Sequence, residues 1–473
     1  MDRLIKIGKI KPKRSVDIKT SKIGIGFEKL DRYAFEPEKA YPFVAQTGVK
    51  YARIQSGWMR TEKEKGVYDF AWLDDIVDNL IAIGITPWMC LCYGNPIYTP
   101  WAAEYYGAVG CPPIGTEEER QGWHNYVSTL TRRYAGKIHT YEVWNEPDGD
   151  WCWKMGPDPE ELAEFTRRTA IACKEGDPTC EVLGFATCRD NRMNFLENLC
   201  QAGICDHIDG ISYHSYRVTD QDNEQMFRVY DGIRQKYNPK LKLVQGESGT
   251  QSRPDGMGAL RKASWTQEKQ AKFLLRHMLL DLGEGVDMAS YFSCMDMIEA
   301  LNGKTGDVGS YLDYAYFGVL GAEFDENGRS TGEYTPKLSF KALQNLCSIF
   351  CGDYEVFAPR IESLVEHSPR MFGPDYDFRK ARHYGFRRPD GSWAVCYWHT
   401  ESNILTQTYD GTVTLRLPRR YAQCQVKLID LMTGDIYKFP PEMAEEKTVM
   451  YRLSNIPIRD YPLLLTFGDF YRE

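Results

Sequence analysis

Two short stretches of this sequence place carboxylates where carboxylates can do chemistry. The first is Tyr141-Glu142-Val143-Trp144-Asn145-Glu146-Pro147, a largely apolar run that ends in an acid and is stopped by a proline, which offers no backbone donor. The second is Leu243-Val244-Gln245-Gly246-Glu247-Ser248-Gly249, where Gly246 permits close backbone approach just before another acid. If both acids project into one cavity, the pair can break a glycosidic bond: one protonates the departing oxygen while the other attacks the anomeric carbon. Direct attack needs carboxyl groups about 5 to 5.5 Å apart, with the acid's pKa raised by its charged neighbour and by burial. Glu146 is the expected acid/base and Glu247 the expected nucleophile. Strand parity sends Glu142, Trp144 and Glu146 to one face, and Glu142, deeper along the strand, is expected in an internal ion pair. Asn145 can offer its amide to a substrate hydroxyl.

Acids so far apart in sequence meet only if a scaffold gathers strand ends. From residue 22 to residue 350 short apolar runs alternate with amphipathic stretches, the pattern of parallel strands under covering helices. Eight such runs begin at Ile23, Tyr51, Thr86, Thr140, Val182, Gly210, Leu241 and Met288. Eight βα units predict a closed (β/α)8 barrel, an α/β fold whose active sites gather at the carboxyl ends of the strands, where Glu146 and Glu247 both fall. Phe70, Leu73, Ile76, Val77, Leu80 and Ile81 trace one apolar helical stripe, Gly84 closes that helix, and Thr116 with Glu119 has capping-box spacing. Over residues 351–473 the helical period gives way to alternation of Val413, Leu415 and Leu417 with Thr412, Thr414 and Arg416, which predicts an accessory antiparallel β-sandwich. Trp393 and Trp398 share one alternating segment, which favours a buttress over an exposed sugar platform. The basic arm of residues 1–21 interleaves Ile5, Ile7 and Ile10 with lysines; whether it joins that sandwich stays open.

Composition narrows the partners. A formal net charge of -8 gives no basis for binding a phosphate backbone, so nucleic acid is not expected. No run approaches the ~18 apolar residues of a membrane span, and no secretory leader is visible. Fourteen cysteines without a CxxC pair are expected as reduced thiols in a cytoplasmic protein, with Cys90 and Cys92 on a buried strand. The eight histidines show no metal-ligand spacing, so neither a metal nor another cofactor is expected. The expected partner is an oligosaccharide or glycoside.

The Trp144-Asn145-Glu146-Pro147 tetrapeptide, followed three strands later by Glu247, resembles glycoside hydrolase clan A, whose members carry Asn-Glu after the fourth barrel strand and a nucleophilic Glu after the seventh. The resemblance covers residues 22 to 350. It implies that Arg53 supports the nucleophile, the alternative being a packing arginine, and that His214 lines the sugar site while the Tyr216 hydroxyl bonds the nucleophile. Within the clan, Gly48-Val49-Lys50-Tyr51-Ala52-Arg53-Ile54-Gln55 followed by Trp58, Glu62, Gly66, Tyr68, Asp69 and Phe70 looks most like family 39, the β-xylosidase and α-L-iduronidase group. Gln55 then reaches the non-reducing sugar. Tyr291-Phe292-Ser293-Cys294-Met295 lacks the tryptophan that commonly floors the subsite at strand eight. Tyr93, Trp101, Tyr105, Tyr106, Trp151 and Trp153 are candidate stacking platforms, and Asn95 is either a hydroxyl ligand or a turn former before Pro96. The reading is a retaining, exo-acting β-glycosidase for short β-xylosides. The alternatives are another glycone of the clan, an inverting hydrolase, or a non-catalytic carbohydrate-binding derivative.

Overall fold

The computed structural model describes residues 1–189, 191–367, 381–399, 404, 406 and 409–472. All eight apolar runs are strands of one closed parallel barrel: β1 (Ile23–Gly26), β2 (Tyr51–Gln55), β3 (Thr86–Leu91), β4 (Thr140–Val143), β5 (Glu181–Thr187), β6 (Gly210–His214), β7 (Lys242–Ser248) and β8 (Met288–Tyr291). Pairing of β8 with β1, Ser290 opposite Gly24, closes the ring. The covering helices are α1 (Pro37–Thr47), α2 (Ala71–Ala82), α3 (Glu117–Arg133), α4 (Pro159–Gly176), α5 (Met193–Gln201), α6 (Asp220–Tyr237), α7 (Gln267–Glu284) and α8 (Leu338–Ile349).

Local signals act as their chemistry dictates, with two adjustments. In α2 the stripe buries Leu73, Ile76, Val77 and Leu80, but Ile81 turns outward and is 40% exposed. Gly84, at φ 85°, donates its N–H to the Ile81 carbonyl and ends the helix. The Thr116 hydroxyl accepts the Glu119 N–H at 3.2 Å, whereas the Glu119 carboxylate reaches past it to the Gly115 N–H at 2.8 Å. The reciprocal half of the capping box is thus displaced by one residue.

Beyond α8 the chain forms a seven-stranded and a four-stranded antiparallel sheet. The N-terminal strand Ile5–Lys9 adds to the first of them, against Asp435–Lys438. Neither tryptophan of the strand Trp393–His399 is a surface platform: Trp398 is fully buried, and Trp393 stacks on Phe467 at 3.8 Å between ring centroids. Helix α7 lies between barrel and sheets, so charged groups there must pair. Arg276 binds Asp220 at 2.7 Å, the Trp398 indole N–H donates to the same carboxylate at 2.7 Å, and Lys272 meets Asp460 at 3.1 Å. Among the described residues no helix is long and apolar enough to cross a membrane.

One acid at this junction is not matched by a cation among the described residues. Asp281 of α7 is fully buried and, among the described residues, accepts only the Asn223 amide (3.1 Å) from side-chain donors and keeps its second oxygen unpartnered. Burial pushes its carboxyl up to about 8 from the ordinary 3.8. Because the folded value exceeds the unfolded one, the stability it contributes is complete below about pH 4 and is lost as pH rises towards 8. Asp281→Asn is therefore expected to match wild type near pH 4 and to exceed it by about 2 kcal/mol at pH 9, read from denaturant melts at both pH values. Equal pH slopes for the two proteins would show that Asp281 is not a buried neutral acid.

Candidate active site

The carboxyl ends of the strands surround a cavity of about 580 Å³ whose lining includes Glu146, Glu247, Asn145, Gln55, Tyr93, Trp151 and Tyr216. Local backbone departures aim the two acids. After β4, Trp144 and Glu146 both take positive φ, 66° and 45°, which breaks the alternation that strand parity assumes. Trp144 consequently leaves the face of Glu142 and packs outward among Trp123, Trp153 and Phe165, while Glu146 turns into the mouth. In β7 the register shifts between Gln245 and Glu247 against β6, a bulge at Gly246 that re-aims Glu247. A Cβ on Gly246 would stand 2.6 Å from Ser212 Oγ and 3.2 Å from Glu142 Oε1, so no larger residue fits over that floor.

Glu146 and Glu247 each offer an oxygen within 4.8 Å of the other's. Tyr216 donates its hydroxyl to Glu247 Oε2 at 2.7 Å, and Arg53 Nη1 donates to Oε1. The same guanidinium donates to Glu28 Oε1 at 3.0 Å, to Glu142 at 2.8 Å through Nε, and to Asn145 Oδ1 at 2.9 Å. With every side taken and no exposed surface, Arg53 cannot touch a sugar and is not among the substrate ligands; its place is against the nucleophile. It positions the carboxylates instead. Glu142 is the internal ion-pair partner: burial opposes its charge, but Arg53 and His214 outweigh that and hold its carboxyl near about 2.

His214 is likewise corrected. It has no exposed surface and does not line the cavity. Its Nδ1 lies 3.1 Å from Glu146 Oε1 and 3.6 Å from Glu247 Oε2. Burial would strip its proton, yet the charge of Glu247, the Glu142 carboxylate 3.9 Å from Nε2 and the hydrogen bond to Glu146 raise it to about 10. Among the described residues Glu146, His214 and Glu247 are the one group of His, Cys, Asp and Glu side chains with metal-like spacing. An imidazolium, however, presents N–H donors and no lone pair to a metal. The cation also reverses the expected shift of the acid. Burial pushes Glu146 up, but the His214 hydrogen bond and charge, with the Trp151 indole N–H at 2.6 Å, pull it below the ordinary value.

Asn95 is the turn former. Its Nδ2 donates to the Glu62 carbonyl at 2.8 Å, its Oδ1 accepts the Ile97 N–H at 3.1 Å, and it lies outside the cavity lining. Gln55 does reach the cavity, its carbonyl accepting the Lys29 N–H and Arg32 Nη1 at 3.1 and 3.0 Å. Of the six candidate platforms only Tyr93 and Trp151 line the cavity; Trp153 is buried beneath Trp144, and Tyr106 stacks on Tyr311 at 4.0 Å. Phe292 and Phe317 stand in the lining where strand eight lacks its tryptophan.

Glu28, Lys29, Glu299 and Arg189 also line the cavity and were not singled out from sequence. For Glu28 the signal existed, since it follows β1 as Glu146 follows β4. Burial, opposed by Arg53 and aided by the charge of Glu247, pushes Glu28 up to about 7, and its Oε2 has no partner among the described residues. One side of the mouth is walled off. Lys154 donates to the carbonyls of Trp151 (2.8 Å) and Leu301 (3.0 Å) and to Asn302 Oδ1 (2.9 Å), tying the loop after β4 to that after β8. Tyr106, in the loop after β3, ties in through its hydroxyl on the Arg32 carbonyl and its N–H on the Gly303 carbonyl.

Known proteins share this architecture. A family 39 glycoside hydrolase from the gut symbiont Bacteroides cellulosilyticus WH2 superposes with a TM-score of 0.66 at 16% identity, over 94% of this chain and 81% of that one. A monomeric β-xylosidase from Caulobacter crescentus CB15 does so with a TM-score of 0.57 at 16% identity, over 98% of each. In sequence, a β-xylosidase of Geobacillus stearothermophilus is 24% identical over 54% of this chain and 53% of its own length. A β-galactosidase of Haloferax lucentense is 30% identical over 20% of this chain and 17% of its own. The chain thus spans about half or less of the length of these curated relatives. The profile described as Glycosyl hydrolases family 39 matches residues 31–244, from the loop after β1 into β7, taking in Arg53, Asn145, Glu146, His214 and Tyr216. That match, on the eight-stranded barrel, makes residues 31–244 of this chain similar to glycosyl hydrolase family 39.

Proposed function

We propose that this protein is a retaining, exo-acting β-glycosidase that trims short oligosaccharides, β-xylosides first, by double displacement. The approach of Glu146 and Glu247 within 4.8 Å carries the reading. An inverting hydrolase must seat a water between acids about 6.5 to 9.5 Å apart. In the first step Glu247 attacks the anomeric carbon, the glycosidic bond breaks, and Glu146 passes a proton to the departing oxygen. In the second, Glu146 takes a proton from water, which displaces the sugar from the Glu247 ester.

The free site stores the first proton on His214 beside Glu146. Substrate entry expels water and raises the cost of a charged Glu146, which favours moving that proton onto the carboxyl. Esterification of Glu247 then removes its negative charge, so Glu146 reverts to a base. Arg53 and Tyr216 hold Glu247 on line throughout.

The ties of Lys154 and Tyr106 to the loop after β8 support exo action, because they brace long loops along one side of the mouth. The β-xylosidase relative supports the glycone, and the β-galactosidase relative keeps galactose as the second reading. A cytoplasmic setting belongs to the same proposal, supported by fourteen unpaired cysteines, eleven of them buried. Aryl β-D-xyloside, β-D-glucoside, β-D-galactoside, α-L-arabinoside and β-D-glucuronide, assayed with proton NMR of the first-formed sugar, test it. The expected result is fastest release from the xyloside with the β-anomer appearing first. Initial α-anomer would refute retention, and inactivity on all five would refute the glycosidase.

A further inference from the structure

Two buried side chains from the loop after β1 line the pocket with hydrogen-bonding atoms left over, and the double displacement uses neither. Arg53 Nη1 donates to Glu28 Oε1 at 3.0 Å, while among the described residues Glu28 Oε2 has no partner. Arg32 Nη1 donates to Asp31 at 2.9 Å and to the Gln55 carbonyl at 3.0 Å, and among the described residues Arg32 Nε and Nη2 have no partner. Asp31 already balances that guanidinium, so what Arg32 offers the pocket is N–H donors rather than charge.

A buried donor or acceptor without a partner destabilises the free site, and a ligand that completes the bond offsets that cost. A hydroxyl, the outermost group on a sugar ring, is what reaches such buried atoms. Space is kept for Glu28: a Cβ on Gly26 would stand 2.6 Å from Oε2 and 3.1 Å from Phe292 Cδ2, so a side chain at 26 would displace the carboxyl from beside that wall of the cavity. Burial, against the pull of Arg53, holds the Glu28 carboxyl at about 7. Near neutral pH Oε2 therefore meets a hydroxyl either as an O–H donor or as a carboxylate acceptor. Both residues belong to the braced side of the mouth: the Tyr106 hydroxyl bonds the Arg32 carbonyl, and Lys29, between them in sequence, reaches Glu299 of the loop after β8 at 3.4 Å. An exo-acting enzyme seats the non-reducing end of its substrate there, while the leaving group lies toward Glu146, whose proton goes to the departing oxygen.

We propose that Glu28 and Arg32 are specificity-determining residues that bind hydroxyl groups of the glycone. The inference rests on the exo-glycosidase reading above. The probes are an aryl β-glycoside of the glycone hydrolysed best and its 2-, 3- and 4-deoxy analogues, compared by kcat/KM in wild type, Glu28→Ala, Glu28→Gln and Arg32→Lys. The last keeps a cation for Asp31 but not the two spare nitrogens. Glu28→Ala and Arg32→Lys are each expected to lose about 100-fold on the parent, and to fall no further below wild type on the one deoxy substrate that lacks the hydroxyl they bind. The position of that deoxygenation names the hydroxyl. Glu28→Gln, which keeps a carbonyl for Arg53 and an amide for the sugar, is expected to lose about tenfold in the same pattern, and it decides the position if Glu28→Ala does not fold. A folded variant that loses equally on all four substrates, or loses nothing, strikes its residue from the glycone site. Both residues struck overturns the proposal and leaves the glycosidase standing. Failure of wild type to hydrolyse any parent glycoside overturns both.

Discussion

Glu247→Ala is expected to reduce turnover of the best aryl β-glycoside by about four orders of magnitude or more, because no other group can form the covalent intermediate. Glu28 is the nearest substitute, since it shares Arg53 with Glu247, but it follows β1 rather than β7 and its free oxygen is buried. The truncation also leaves a void the size of a carboxylate beside Arg53 and Tyr216, two donors that previously served Glu247. Azide fits such a void. Entering from the nucleophile's side, it would displace the leaving group once, so activity should return with an α-glycosyl azide as product. Recovery of a β-azide, or turnover near wild type without azide, would remove Glu247 from the nucleophile's role.

Glu146→Ala is expected to behave differently, and the difference identifies it. Losing a general acid costs about 10²- to 10⁴-fold where the leaving oxygen needs a proton, and little where it does not. Turnover of an alkyl or sugar glycoside should therefore collapse. A 2,4-dinitrophenyl glycoside should still release its phenol in a rapid burst, followed by slow hydrolysis of the ester on Glu247, which now lacks its base. Azide should speed that second step and yield the β-glycosyl azide, since it arrives on the face that Glu146 occupied. Trp151 and His214 lose their shared partner in this variant, so some structural response at their positions is expected, visible as altered indole fluorescence. Equal losses for good and poor leaving groups would contradict the assignment.

Much of this site was legible because a closed parallel barrel turns sequence position into spatial position. An acid at the end of a strand points to the mouth, so Glu146 and Glu247 could be paired before any distance was known. The eight strands were visible for the related reason that parallel strands under helices are apolar on both faces and read as short continuous runs. Arg53, Gln55 and Tyr216 came with the family resemblance, which the strand ends alone do not supply. The register of a regular strand is a local property, and local sequence specifies it.

What sequence alone did not decide was whatever depends on departures from regular geometry or on neighbours from other strands. Positive φ at Trp144 and Glu146 separated two residues that alternation places together. Asn95 sits near a strand end like a ligand, yet the Glu62 carbonyl and the Ile97 N–H use its amide up. His214 was expected beside the sugar and instead lies beneath the carboxylates, where three acids from β4 and β7 keep its proton and lower the pKa of Glu146. Electrostatics of that kind add over charges brought together through space, and no spacing along the chain encodes their sum. Residue types and strand ends therefore determined which groups reach the pocket; only the folded chain decided which way they face and what charge they carry.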